Sequence, residues 1–89
     1  MSWRVEFSKI GERDLAKLDR SVRQNVIVRL EWLSENFDTT APLSLHGEWG
    51  DFFKLRVGDW RVAYTFDPTL KLITVRVIDH WSKIYKQKI

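Results

Sequence analysis

Cysteine is missing from this 89-residue chain, which excludes a disulfide framework and any thiolate metal site. Histidine occurs only at His46 and His80, a pair too widely separated for a local zinc motif, so neither a metal nor another cofactor is expected. Long apolar runs are absent too. No stretch approaches the ~20 apolar residues of a membrane-spanning helix, and the opening MSWRVEF lacks a basic leader followed by an apolar segment. These absences predict a soluble cytoplasmic protein with no membrane partner.

What the chain does contain is a core's worth of apolar residues, 44% of the total with five tryptophans. That suffices for one small domain over residues 1–89, built as two packed layers. The net charge is only +3, but it is unevenly spread. Residues 1–51 hold seven Lys or Arg against nine Asp or Glu, net −2, and residues 52–89 hold eight against three, net +5. A basic half of this kind suits a polyanion such as nucleic acid, or an acidic protein.

The order of elements follows from periodicity. Trp3, Val5 and Phe7 alternate with Arg4 and Glu6, as in a half-buried strand. Ser8 is placed to cap a helix over residues 9–18 with Ile10, Leu15 and Leu18 facing inward. A second helix, capped by Asp19 or by a Ser21/Gln24 capping box, aligns Val22, Val26, Leu30 and Leu33. Residues 36–51, with Pro42, Gly47 and Gly50, show no period and read as a loop. Strands are expected at 52–57, 60–66 and 71–79. In the last, Ile73, Val75 and Val77 form one face by alternation, with Leu72, Thr74, Arg76, Ile78 and His80 on the other. The fold class is therefore α+β: two antiparallel helices on one face of a small twisted antiparallel sheet, in the order β-α-α-β-β-β.

The segment FKLRVGDWRVAY, residues 53–64, carries the most chemical information. With Gly58 and Asp59 at the centre of a hairpin turn, Arg56 pairs with Arg61 and Lys54 with Ala63. Phe53, Leu55, Val57, Trp60, Val62 and Tyr64 then share an apolar face, and Lys54, Arg56 and Arg61 share the other. Like charges directly opposite cost stability unless an anion, a carboxylate or water relieves them. The row is either a solvated outer face or an anion site.

Together with LHG at 45–47 and HWSKIY at 80–85, this hairpin resembles the RelE/ParE superfamily of bacterial type II toxin–antitoxin toxins, most closely the RelE-like mRNA interferases. The resemblance spans nearly the whole chain. It implies a ribosome-dependent endoribonuclease that needs no metal, inhibits translation, and is neutralised by an acidic, partly disordered antitoxin. The implied reaction is attack of a 2′-hydroxyl on the adjacent phosphate, giving a 2′,3′-cyclic phosphate and a 5′-hydroxyl. Arg61 would grip the scissile phosphate, with Lys54 and Arg56 stabilising the added negative charge. His80 and Tyr85 match the terminal pattern, His80 as acid or base and Tyr85 as proton carrier or stacking surface. Many relatives carry Arg where this chain has Trp81, so Arg76 or Lys83 would supply that charge, with Trp81, Lys83 and Lys86 as further RNA contacts.

Blander roles stand beside these. Tyr85 could close the core, His46 reads as an exposed polar residue, Trp49, Trp60 and Trp81 as packing, and Lys86 and Lys88 as a solvated tail. At the level of function the alternatives are a ParE-like gyrase inhibitor and a catalytically weak homologue acting as an antitoxin-binding corepressor.

Overall fold

The computed structural model describes residues 2–44 and 50–86; His46, Trp49 and Lys88 lie outside them. Its elements are β1 (Arg4–Phe7), α1 (Lys9–Lys17), α2 (Arg20–Asn36), a 3-10 turn (Phe37–Thr39), β2 (Leu43–Ser44), β3 (Phe53–Val57), β4 (Trp60–Asp67), β5 (Leu72–His80) and α3 (Trp81–Ile84). The sheet order is β1-β5-β4-β3-β2. Its ladders are antiparallel except one, because β1 runs parallel to β5. The helical hairpin between β1 and the rest carries the chain across the sheet and lets the first strand land beside the last.

Ser8 caps α1 as expected, its hydroxyl accepting from the Gly11 N–H. The second helix begins at Arg20 after Asp19, so Ser21 lies within it and forms no capping box. Val26, Leu30 and Leu33 are buried, whereas Ile10 is about half exposed and does not face the core. Part of the expected 36–51 loop is regular secondary structure. It continues α2 to Asn36, makes the 3-10 turn, and adds β2 as an edge strand on β3.

The helix-side core joins Val26, Leu30 and Leu33 to Leu55, Val62, Tyr64, Ile73 and Val75. Helix α1 rests tightly on β5. A Cβ on Gly11 would run into the Val75 carbonyl, while the Ser8 N–H donates to that same carbonyl at 2.9 Å. Among the described residues no helix is long and apolar enough to cross a membrane.

One irregularity governs everything downstream. Tyr64 pairs with Val75 but Ala63 pairs with Val77, so Arg76 is an extra residue bulged out of β5. Alternation therefore reverses beyond it. Ile78 joins the helix-side core, and Val77 packs on the far face with Ala63, Ile84 and Phe52. The expected grouping of Val77 with Ile73 and Val75 fails at this bulge.

Candidate functional site

The β3–β4 hairpin has the expected register: Val57 with Trp60, Arg56 with Arg61, Leu55 with Val62, Lys54 with Ala63. Gly58 has φ 58° and Asp59 a negative φ, the pattern of a II′ turn whose twist suits the strands. Leu55, Val57, Val62 and Tyr64 are buried beneath the helices. Lys54, Arg56 and Arg61 consequently share the sheet face that α1 and α2 leave uncovered.

Arg61 does not extend straight across this face. Its Nη1 donates to the Gly58 carbonyl at 2.8 Å and to the Trp60 carbonyl at 2.9 Å, which draws the guanidinium toward the turn. On its other flank Arg61 is directly opposite Asp79. The row across the sheet thus reads Arg56, Arg61, Asp79, with a carboxylate beside the two cations. Asp79 also accepts the His80 N–H at 2.8 Å. Farther along, Arg76 projects from the bulge and its Nε donates to Thr65 Oγ1 at 3.0 Å, which places a fourth cation on the same face.

His80 is not among them. It is the partner of Trp60, and directly paired residues share a face, so its ring lies with the apolar set, edge-on to Trp60 at 5.6 Å. Its Nδ1 accepts from the Ser82 N–H at 3.2 Å and is 2.8 Å from Ser82 Oγ. His80 thereby forms the N-cap of α3, with the Nδ1 lone pair engaged and the hydrogen on Nε2. The Trp81 N–H donates to the Asp59 carbonyl at 2.9 Å, so the hairpin turn anchors both Arg61 and α3.

The remaining expected residues cluster around α3. Trp81 and Tyr85 are about half exposed; Tyr85 does not close the core, a role that Ile84 fills. Trp60 packs on the helix-side core. Lys83 borders a cleft with Asp14, Lys17, Trp60 and Asp79, and Lys86 is exposed. Two features went unread in the sequence. Alternation carried through the bulge puts Asp79 on the helix side, whereas the structure pairs it with Arg61 on the far face; the adjacent apolar pair Val77 and Ile78 marks the break. Arg29 and Trp32, stacked at 4.7 Å on the surface of α2, lie off the apolar stripe, where helical periodicity marks no site.

Among the described residues no group of three or more His, Asp or Glu side chains could hold a metal. Burial pushes the Tyr64 phenol up to about 12 from 10.0.

A family model described as the ParE toxin of type II toxin-antitoxin system, parDE, matches residues 5–85. The chain belongs to this family. The toxin's fold is that of solved RelE structures. It superimposes on the toxin–antitoxin complex RelBE2 from Mycobacterium tuberculosis with a TM-score of 0.74 at 24% identity, over 90% of this chain and 99% of the other. The archaeal RelE–RelB complex from Pyrococcus horikoshii gives 0.72 at 22%, over 93% and 99%. A mutant E. coli RelE in the free state gives 0.72 at 21%, over the whole of both chains. No curated protein sequence matches the toxin. The fold expected from sequence is thus met, and the protein is a type II toxin of the RelE/ParE superfamily.

Proposed function

We propose that this toxin is a metal-independent endoribonuclease that cuts mRNA on the ribosome and is held inactive by a cognate antitoxin. The observation that carries the reading is the sheet face opposite α1 and α2, which bears Lys54, Arg56, Arg61 and Arg76, with Arg61 fixed on the hairpin turn. In-line attack by a 2′-hydroxyl adds negative charge at phosphorus. Cations held in place before the reaction stabilise that charge more than they stabilise the bound substrate. Arg61 holds the phosphate, Lys54 and Arg56 neutralise the phosphorane, and Tyr85 at the end of α3 stacks on a base or relays a proton. His80 contributes by capping the helix that carries Trp81 and Tyr85, and its Nε2–H is the ring atom left for proton exchange. The ribosomal A site supplies the alignment of the 2′-hydroxyl that a short free RNA lacks.

Solved relatives in complex with RelB antitoxins support an antitoxin partner here, drawn to the same basic face. A gyrase inhibitor is the second reading, favoured by the ParE description of the family model. Mapping of 5′ ends on programmed ribosomes, with EDTA-treated toxin, separates the two. New mRNA ends from the parent, and roughly 10²-fold or greater loss of rate in Arg61→Ala, are expected. No new ends, together with a block of gyrase supercoiling, would overturn the ribonuclease reading.

A further inference from the structure

Strand β2 is only two residues long and pairs with Phe53 and Lys54, so among the described residues the edge of β3 beyond Lys54 is open. A cleft of about 240 Å³ occupies this edge, between α2 and the sheet. Leu33, Leu55 and Pro42 contribute apolar wall, and Arg29, Lys54 and Arg56 contribute three cations, with no acidic residue among the described lining. Trp32 borders it, 43% exposed, with the Arg29 guanidinium 4.7 Å from the ring centroid. Lys54 and Arg56 therefore serve two surfaces, this cleft and the cation face around the edge.

We infer that the cleft binds the nucleotide next to the scissile phosphate, its base against Trp32 and its phosphate between Lys54 and Arg56. The inference rests on the ribonuclease reading for the path of the strand. A base is flat and apolar on its faces yet is followed within one linkage by a charge, which matches an indole and aliphatic wall rimmed by cations. An acidic peptide paired to the open β3 edge is the competing occupant, and the test separates the two.

The test is equilibrium binding of a fluorescein-labelled 2′-O-methyl hexaribonucleotide to the full chain at low salt, followed by anisotropy. Trp32→Ala should weaken binding roughly tenfold, the usual scale for one stacked base, and Trp32→Phe should restore most of it. A probe with an abasic position at the stacked nucleotide should lose the same factor against the parent and nothing further against Trp32→Ala, because one contact cannot be removed twice.

Affinity within about twofold of the parent for Trp32→Ala, no binding of the hexamer at all, or fully additive losses at every abasic position would each overturn the inference. Loss of antitoxin binding in Trp32→Ala with RNA affinity intact would overturn it in favour of a protein contact. Cleavage is not read in this assay. A toxin that shows the Trp32-dependent base contact but makes no ribosomal cuts therefore fails the catalytic reading alone.

Discussion

Arg61 and Asp79 are direct partners across the β4–β5 ladder, and Arg56 is the direct partner of Arg61 on its other side. A carboxylate stands at the end of a row that otherwise holds an unfavourable like-charge pair, while the turn carbonyls take up part of the Arg61 guanidinium. Asp79→Asn keeps an acceptor for the His80 N–H but removes the charge. It should destabilise the fold by roughly 1 kcal/mol and tighten nonspecific RNA binding several-fold at low salt. Urea midpoints and salt-titrated RNA binding measure the two effects, and weaker RNA binding would show that Asp79 does not oppose the cation face.

His80 is a helix cap whose capping and proton-transfer roles can be separated. Asn accepts a backbone N–H as well as an imidazole does, but it cannot exchange protons. His80→Ala should lose about 1 kcal/mol of stability and loosen α3, whereas His80→Asn should keep both. If His80→Asn also retains ribosomal cleavage, the residue acts by positioning Tyr85 and Trp81. Loss of cleavage with α3 intact by NMR assigns its Nε2 to the chemistry.

Tyr64 gives the protein an alkaline limit. Its phenol is raised from 10.0 to about 12 in the folded state by burial, so above pH 10 the unfolded chain releases this proton first. The folded state then binds more protons, and stability falls as pH rises toward 12; below pH 10 both states keep the proton and the effect vanishes. The parent should lose on the order of 2 kcal/mol more than Tyr64→Phe between pH 9 and 12. Urea melts of both proteins across that range provide the comparison, and parallel pH profiles would contradict the burial of an un-ionised phenol.

Gly11 holds α1 against β5 at backbone contact distance. Ala is ordinarily the better helix former by about 1 kcal/mol, yet here its methyl would meet the Val75 carbonyl, which is backbone and already accepts the Ser8 N–H. Gly11→Ala should therefore destabilise by roughly 1–3 kcal/mol despite its propensity. Thermal unfolding reads this directly, and a rise in Tm would mean that α1 can shift away from the sheet at little cost.

Local pattern determined much of this protein. Two-residue alternation around Gly58 and Asp59 was enough to place Lys54, Arg56 and Arg61 on one face, because a tight turn fixes register and register fixes side-chain direction. The stripe of Val26, Leu30 and Leu33 likewise determined the buried side of α2. Tertiary structure decided the rest. A single inserted residue at Arg76 reversed the end of β5, exchanging Asp79 for His80 on the cation face, and the packing of α1 through Ser8 and Gly11 against that strand is not encoded in its own periodicity. The parallel pairing of β1 with β5, and the meeting of Trp32 with Lys54 and Arg56 at an open edge, depend on elements distant in sequence. Alternation is a property of one strand, whereas bulges, edges and clefts are set by how strands and helices share limited space.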